Sequence, residues 1–486
     1  MSKELLSLEP KLLWENFYQL TQTPRPSKKE GPAVKFVNDF CKKHNLETIT
    51  DKIGNIIIRK SATAGFEKRQ GVILQAHLDM VPQKNSDTVH DFEKDPINAC
   101  IDGDWVKAKG TTLGADNGIG VAAALAILES NNLEHGPIEA LFTIDEEAGM
   151  TGAKNLEPGI LNGKILLNMD SEDEGELYVG CAGGSDATAC FTFMEEEVPK
   201  DSVAYELALT GLKGGHSGMD IVLGRGNANK IMFRFLKDAV VEFELRLSSI
   251  DGGSLRNAIP RESFAIISIP KIEEDDFLLM LKDFTEIIKA ELCKTEPDLS
   301  FVAKKVEQPQ FVMDEISKYN LINAIQACPN GVIRMSDEME NLVETSLNLA
   351  IIKSSDKKIE VKALIRSSVE TAKDEVESTL ESLFLLAGAE INFSGQYPGW
   401  KPNMESPILK TMQKVYQSKW GKIPEIRAIH AGLECGILGS GYPDWDMISF
   451  GPTIRFPHSP DEKVNIPSVS LFWEFLLETL KNVPEK

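Results

Sequence analysis

Short apolar stretches alternate with amphipathic stretches in the first third of the chain. In residues 12–22 and 33–45 the apolar positions recur at helical spacing, as in helices that bury one face. Brief apolar runs that end at acidic residues are instead typical of buried strands. The predicted strands are 55–59, 71–79, 138–144 and 165–169, and another helix is predicted over 117–130. This alternation predicts an α/β fold, whose open sheet would bind ligands at the carboxyl ends of its strands.

The pattern changes after Asp170, where strands and amphipathic helices follow in a different order. The predicted strands are 205–212, 264–269 and 359–365, and the helices are 226–240, 275–293 and 371–386. Alternating helix and strand return from about residue 397, with helices over 408–420 and 469–480. We therefore predict an α/β/α catalytic domain from residues 1–183 and 397–486, interrupted by an inserted α+β domain at residues 184–396.

Charge narrows the classes of partner. The chain has 52 Lys plus Arg against 74 Asp plus Glu, a formal net charge of −22. Because phosphate-binding surfaces depend on Lys and Arg, we expect neither nucleic acid nor an anionic membrane as a partner. The first residues contain no long apolar stretch, and the longest apolar run, 121–128, is too short to span a bilayer. We expect a soluble, cytoplasmic protein.

Cysteine usage limits the kind of metal site. The seven cysteines are an odd number and contain no CxxC pair, which favours reduced thiols over a disulfide framework. A cysteine-type zinc site is therefore not predicted, and any metal would be held by histidine and carboxylate side chains.

His77 and Asp79 end one of the predicted strands, and the alternation of side chains points both to the same side. A ligating imidazole commonly donates its second N–H to a carboxylate, so this pair suits a metal ligand and the acid that orients it. Taken alone, such a pair is more often a surface group or a histidine satisfied within the core.

Asp116 lies in the glycine-rich segment GADNGIG, just before an alanine-rich helix. It could cap that helix, or it could be a metal ligand held by the surrounding glycines. Residues 118–123 also match the GxGxxA dinucleotide pattern, but no buried strand precedes them, so we do not predict a dinucleotide site.

Three further segments add acids and a second histidine. Asp145, Glu146 and Glu147 close one predicted strand, Asp170 follows another, and His458 lies between two prolines near the carboxyl end of the chain. Clustered acids are costly unless a cation neutralises them. Two histidines with three carboxylates suit Zn²⁺, with Co²⁺ or Mn²⁺ possible, and a bridging aspartate would allow two metals about 3.5–4 Å apart.

Six segments resemble, in this order, the motifs of the co-catalytic di-zinc aminoacylase and dipeptidase family of metallopeptidases. They are HLDM, GADNGIG, DEEAG, NMDSE, GGHSGMDI and FPHSP. The resemblance covers nearly the whole chain, and it implies that the inserted domain is a lid and dimerisation domain in a homodimer. It also implies two Zn²⁺ per subunit.

The resemblance further implies a role for each candidate ligand and for two neighbouring acids. Asp116 resembles the ligand that bridges both metals. His77 and Asp170 resemble the remaining ligands of one zinc, and Glu147 and His458 resemble those of the other. Asp79 resembles the acid that orients His77, and Glu146 resembles the general base that later acts as the acid.

Four more residues resemble substrate-binding positions. His216, in GGHSG, resembles a lid histidine that stabilises the oxyanion, either within its own chain or across a dimer. Arg366 resembles the arginine that binds the substrate carboxylate, and Asn257 resembles a lid residue at the substrate. Glu434, in HAGLECG, could bind the substrate ammonium or could be a structural acid. Without the resemblance, His216 and Arg366 would be read as solvated surface groups.

The activity that the resemblance implies is metal-dependent hydrolysis of dipeptides, preferentially Xaa-His and including β-alanyl-histidine. The same site could instead cleave N-acyl amino acids or remove one residue from tripeptides. A non-enzymatic metal-binding scaffold is less consistent with Glu146, since a base that is no ligand has no use in a storage site.

Overall fold

The computed structural model describes residues 2–486, which form two compact units. Unit 1 comprises the residues up to Gly180 together with 402–428 and 433–486, and unit 2 comprises 181–401 and 429–432. The prediction placed the inserted domain at 184–396. That one unit is catalytic and the other a lid and dimerisation domain stays a prediction.

Unit 1 contains an eight-stranded sheet and a smaller four-stranded sheet. The order in the large sheet is Glu47–Thr50, Ile56–Lys60, Ile138–Thr143, Val72–His77, Ile165–Asn168, Asp446–Ser449, Glu176–Cys181 and Glu425–Ile429. The order in the small sheet is Ile454–Arg455, Lys463–Asn465, Trp105–Ala108 and Ala99–Asp102. The helices are Lys11–Thr21, Gly31–Lys43, Ala115–Glu129, Glu146–Gly149, Thr151–Lys154, Pro407–Trp420, Glu434–Gly441 and Ile466–Asn482.

The centre of the large sheet is parallel. Strand Val72–His77 pairs in parallel with Ile138–Thr143 on one side and with Ile165–Asn168 on the other. All three strands are buried along their whole length, as expected for parallel strands covered on both faces. Because they run in the same direction, the residues that follow them emerge at one edge of the sheet.

Helix Ala115–Glu129 is apolar on nearly all sides and is buried from Gly118 to Leu128. Its first turn is irregular, since Asp116 and Asn117 have non-helical backbone angles and their peptide bond is cis. The N-cap is Gly114, in the left-handed region at φ 71°, and as a glycine it has no side chain that could cap the helix. Asp116 therefore does not act as the N-cap that was one interpretation of the sequence.

Unit 2 is built on a long antiparallel sheet. The strand order is Ser300–Val306, Ser202–Thr210, Ser263–Pro270, Arg246–Gly252, Val343–Ser355, Lys358–Ser367, Gly183–Thr192 and Glu390–Tyr397, with Gly331–Met335 paired beside Val343–Ser355. The helices are Ala228–Glu242, Glu274–Glu291, Glu315–Ala327 and Glu370–Leu386. Its core is rich in phenylalanine, and Phe235 contacts three other rings edge-on or tilted.

The predicted fold class, an α/β unit with an inserted α+β unit, is confirmed by this architecture. Among residues 2–486, no helix combines the length and the apolar content needed to cross a membrane. None of the seven cysteines, all of which lie within residues 2–486, forms a disulfide bond.

Candidate metal centre and substrate-binding residues

Three of the five predicted ligands, His77, Glu147 and Asp170, lie at or just after the ends of neighbouring strands of unit 1. His77 is the last residue of its strand and lies opposite Thr143, after which come Asp145, Glu146 and Glu147. Asp170 lies two residues beyond the end of the next strand. The parallel pairing therefore brings together acids that are far apart in the sequence.

The first group of potential ligands surrounds the imidazole of His77. Its Nε2 lies 3.1 Å from Asp116 Oδ1 and 3.3 Å from Asp170 Oδ1. On the other side of the ring, Nδ1 lies 3.4 Å from Asp79 Oδ1. The Nε2 atom of the imidazole is thus directed toward two carboxylates, and its Nδ1 atom is directed toward a third.

The second group surrounds His458, whose Nε2 lies 2.9 Å from Glu147 Oε2 and 3.3 Å from Asp116 Oδ2. Asp116 therefore turns Oδ1 to the first group and Oδ2 to the second. This division of its two oxygens is what a carboxylate that bridges two cations requires.

Both groups fit a metal ion by their geometry and chemistry. The ligand atoms of His77, Asp116 and Asp170 lie within 4.8 Å of one another, and so do those of Asp116, Glu147 and His458. The three carboxylates are largely buried, and within residues 2–486 none pairs with a lysine or arginine. Glu147 Oε1 is also buried without a hydrogen-bond partner. Buried carboxylates normally require a counter-charge, and mixed imidazole and carboxylate donors suit zinc.

The two histidines are strongly coupled to these acids. Hydrogen bonds with Asp116 and Glu147 raise the pKa of His458 to about 11. Burial by itself would lower the pKa of His77, but Asp170 and Asp116 raise it well above the usual value. Metal binding would displace the imidazole protons, because only neutral imidazole is a ligand.

Asp79 is fully buried and has a different set of partners. Its carboxylate accepts hydrogen bonds from the Glu146 N–H at 3.0 Å, the Glu147 N–H at 3.2 Å and the Ser27 hydroxyl at 2.8 Å. Burial opposes its ionisation, yet the adjacent imidazole of His77 and these donors lower its pKa to about 2. Asp79 therefore connects the strand end at His77 to the turn that bears the two glutamates.

The Glu146 carboxylate accepts no hydrogen bond and forms no ion pair within the part of the chain that the structure describes. Burial raises its pKa well above the usual value, and the nearby charges of Asp170, Glu434 and Glu147 add to the increase. A carboxylate with a raised pKa and free oxygens suits proton transfer near neutral pH.

Glu434 is 1% exposed. Its Oε2 accepts hydrogen bonds from Gln75 Nε2 at 2.6 Å and Thr143 Oγ1 at 2.8 Å, while Oε1 has no partner. Burial raises its pKa to about 7. The structure thus places Glu434 against the interior of the parallel strands, and the predicted contact with a substrate ammonium stays a prediction.

Asn117 was not predicted as a site residue. Its side-chain amide donates to the Met169 carbonyl at 3.0 Å and to Asp170 Oδ1. It therefore orients a potential ligand from the residue next to Asp116. The only signal in the sequence is this position within GADNGIG.

In unit 2, His216 lies in the short ladder that pairs Gly215–His216 with Ala258–Ile259. Its Nδ1 accepts the backbone N–H groups of Gly218 at 3.2 Å and Met219 at 3.0 Å. Burial and the charge of Arg366 lower its pKa. The imidazole is therefore neutral at neutral pH and carries its proton on Nε2, which remains available as a donor.

Asn257 supports the same motif through its backbone. Its carbonyl accepts the Ser217 N–H at 2.8 Å, whereas its side chain is exposed. The structure thus brings Asn257 next to the His216 motif, and a direct side-chain role at the substrate stays a prediction.

Arg366 is 5% exposed and lies near the end of strand Lys358–Ser367. Its Nε donates to Ser217 Oγ at 3.3 Å and its Nη1 to the Tyr397 hydroxyl at 3.1 Å. Among residues 2–486, no Asp or Glu forms an ion pair with it. A guanidinium held by neutral groups keeps its charge available for a carboxylate.

His430 and Tyr397 lie close to Arg366 in unit 2. Burial and the charge of Arg366 lower the pKa of His430 to about 3, and its Nε2 lies 2.7 Å from Ser346 Oγ. A Cβ at Gly218 would lie 2.0 Å from the His430 carbonyl oxygen, so only glycine fits there. Tyr397 gave no signal in the sequence.

Comparisons with known proteins cover both units. Residues 73–482 match the sequence profile of Peptidase family M20/M25/M40. The Cytosol non-specific dipeptidase of Escherichia coli (strain K12) is 48% identical over 99% of this chain and 100% of its own length. The crystal structure of Aminoacylhistidine Dipeptidase from Vibrio alginolyticus is 50% identical, covers 100% of both chains and has a TM-score of 0.97. The aminopeptidase PepT of Bacillus cereus ATCC 10987, 15% identical over 98% of this chain and 99% of its own with a TM-score of 0.58, shares the fold.

Proposed function

Because the chain belongs to Peptidase family M20/M25/M40 and is therefore a hydrolase that acts on peptide bonds, we propose that it is a dipeptidase. We further propose a preference for Xaa-His dipeptides, including β-alanyl-histidine. The name of the relative from Vibrio alginolyticus supports that preference, whereas the relative from Escherichia coli is named non-specific. Membership in the family confirms the assignment predicted from the ordered motifs.

The observation that carries this proposal is the pair of ligand groups that share Asp116. His77 and Asp170 would complete the set for one Zn²⁺, and Glu147 and His458 the set for the other, with Co²⁺ or Mn²⁺ as possible substitutes. When bound, such a pair of cations polarises the scissile carbonyl and lowers the pKa of a water molecule.

The residues of the chain supply the proton transfers. Glu146 takes a proton from the attacking water and passes it to the nitrogen of the leaving amino acid, so one carboxylate serves first as base and then as acid. Asp79 holds the ring of His77 in a fixed orientation. His216 donates its Nε2–H to the carbonyl oxygen, where negative charge develops, either in its own chain or across a dimer.

Arg366 binds the carboxylate of the substrate. Its guanidinium is planar and is held by Ser217 and Tyr397, which leaves a bidentate edge for a carboxylate. Asn257 and Glu434 are proposed to contact the peptide and its ammonium group. A substrate bound at both charged ends would be short, which favours dipeptides over longer peptides.

The cytosolic location and the homodimer are part of the same proposal. The first is supported by the name of the Escherichia coli relative, and the second by the resemblance of the motifs. Equilibrium sedimentation of the purified protein would test the dimer.

Hydrolysis assays of a substrate panel test the dipeptidase proposal. The panel contains β-alanyl-histidine, other Xaa-His dipeptides, dipeptides without histidine, tripeptides and N-acetyl amino acids, each with Zn²⁺, Co²⁺ or Mn²⁺ added. We expect dipeptides to be cleaved with the highest kcat/KM, and Xaa-His dipeptides above the others. Cleavage of N-acetyl amino acids or tripeptides alone would contradict the dipeptidase assignment, and equal rates on all dipeptides would contradict the Xaa-His preference.

A further inference from the structure

Two buried charged residues of unit 1, Arg25 and Glu462, contact the segment that carries Asp116 and are not among the potential ligands. We propose that both are positioning residues, which fix residues 113–116 so that the Asp116 carboxylate serves both cations. This inference rests on the proposed function, since it assigns a task at the proposed metal centre.

Glu462 is 2% exposed and binds the segment through its backbone. Its carboxylate accepts four consecutive backbone N–H groups: Leu113 at 2.7 Å, Gly114 at 2.9 Å, Ala115 at 2.7 Å and Asp116 at 3.2 Å. These N–H groups lie at the irregular start of helix Ala115–Glu129, where no residue within the helix can accept them. Both carboxylate oxygens are used in this way, so Glu462 is an anchor for the segment and not a ligand.

Glu462 also links this segment to the second imidazole. It lies four residues after His458, and its N–H donates to the Ser459 carbonyl at 3.0 Å. Strand Lys463–Asn465 follows directly and pairs with Trp105–Ala108. The backbone of Glu462 is therefore fixed by the adjacent sheet. Its side chain binds the backbone of Asp116, whose carboxylate contacts His458.

Arg25 provides the corresponding link to the first imidazole. It is 2% exposed, and its Nη1 donates to the carbonyls of Leu78 at 3.1 Å and Asp79 at 2.9 Å. Its Nη2 donates to the Gly114 carbonyl. One guanidinium thus joins the residues just after His77 to the segment just before Asp116.

Two glycines of the GADNGIG motif make room for this guanidinium. A Cβ at Gly114 would lie 2.5 Å from Arg25 Nη2, and a Cβ at Gly118 would lie 2.6 Å from the same atom. Gly114 has φ 71° in addition, a conformation that side chains other than glycine rarely adopt. Gly114 and Gly118 are therefore required by the space that the Arg25 side chain occupies, and not by the potential ligand Asp116.

A glutamine at position 462 tests the first contact. Glu462→Gln keeps the volume, but its amide nitrogen would face two backbone N–H donors, which would remain unsatisfied. Glu139→Gln is the matched control, because Glu139 is also a buried acid of unit 1. It accepts the backbone N–H groups of Asn162 and Gly163 at 2.7 and 2.8 Å, near the start of strand Ile138–Thr143 and away from the strand ends that carry the ligands.

The measurements are the zinc dissociation constant, by competition with a chromophoric chelator, and the visible absorption spectrum of the Co²⁺-loaded protein. We expect Glu462→Gln to bind zinc about 10 to 100 times more weakly than the wild type and to change the cobalt spectrum, as residues that orient ligands do. Glu139→Gln should keep the wild-type affinity and spectrum. Thermal unfolding of the metal-free proteins reports any loss of stability separately.

Arg25→Lys is the second variant, and it decides the question if Glu462→Gln does not fold. Lysine keeps the charge, but a single ammonium cannot reproduce the planar fork that reaches three carbonyls, so weaker zinc binding is expected again. Wild-type zinc affinity in the folded variants, or an equal loss in Glu139→Gln, would overturn the positioning role alone. A wild-type protein that binds no divalent cation would overturn the proposed function and this inference together.

Discussion

The pKa of a histidine side chain is shifted in opposite directions in the two units. In unit 1, Asp116 and Glu147 raise the pKa of His458 to about 11. In unit 2, burial and the charge of Arg366 lower the pKa of His430 to about 3. The identity of the residue therefore does not decide its protonation state, whereas its burial and the charge of its neighbours do.

This contrast follows from what each region collects. Unit 1 gathers carboxylates at the ends of parallel strands, where the excess of negative charge calls for cations. Unit 2 contains a permanently charged guanidinium, Arg366, and two neutral imidazoles, His216 and His430, and no acid within residues 2–486 forms an ion pair with the guanidinium. The first region is suited to bind metal ions, and the second is suited to bind an anionic group of a substrate.

The largest effect should come from Glu146, the proposed base in unit 1. We expect Glu146→Gln to lower kcat by a factor of about 100 to 10,000, since proton transfer is lost, while zinc binding stays as in the wild type. Steady-state kinetics and zinc stoichiometry would be measured together. Glu157→Gln is the control, because that side chain is 66% exposed and pairs with Lys52 at the surface. Normal turnover by Glu146→Gln would remove Glu146 from the proton-transfer role.

A smaller effect is expected from the cation in unit 2. Arg366→Lys should lower kcat/KM for dipeptides by a factor of about 10 to 150, the value of one or more hydrogen bonds to a charged group. Tyr397→Phe, which removes only the hydroxyl that holds the guanidinium, should lower it by a factor of about 2 to 10. Zinc affinity should be unchanged in both variants.

The C-terminal amide of the same dipeptide is the control for the role of Arg366. The amide lacks the carboxylate, so its cleavage should be slow in the wild type and nearly insensitive to Arg366→Lys. An equal loss on the dipeptide and on its amide would show that Arg366 does not bind the carboxylate.

The smallest effect concerns acid stability in unit 2. The pKa of His430 is about 3 when folded and near 6.5 when unfolded, so between these values the unfolded chain binds the extra proton. The corresponding stability is complete above about pH 6.5 and is lost as the pH falls, by up to about 1.4 kcal/mol per pH unit. Urea unfolding of metal-free protein should show that His430→Gln is less sensitive to a change from pH 7 to 5 than the wild type. The difference between the two proteins should be constant from pH 7 to 8.5, and the same pH dependence in both would exclude His430 as its cause.

Much of the fold could be predicted from local patterns. The strand predicted over 71–79 is Val72–His77, and the helix predicted over 469–480 is Ile466–Asn482. The ends differ by a few residues, because strand and helix termini depend on pairing and capping. The start of helix Ala115–Glu129 differs for a specific reason, since the carboxylate of Glu462 binds the N–H groups there.

Some residues of the candidate site could likewise be predicted from the sequence, and others could not. Five potential ligands were predicted from the sequence, and the structure gathers them into two groups that share Asp116: His77 and Asp170 in one group, Glu147 and His458 in the other. Arg25, Glu462 and Tyr397 were not predicted. Each acts on the site through contacts with residues distant in sequence, and neither spacing nor composition records such contacts.

The sequence by itself determined the family, the fold class and the residue types available for a metal centre, because strand periodicity and the order of the motifs are read directly along the chain. Only the tertiary structure decided that Asp116 turns one oxygen to each group, that His216 carries its proton on Nε2, and that Glu434 is buried against Gln75 and Thr143. These outcomes depend on which backbone N–H groups, carbonyls and charges surround a side chain, and only the folded chain brings those groups together.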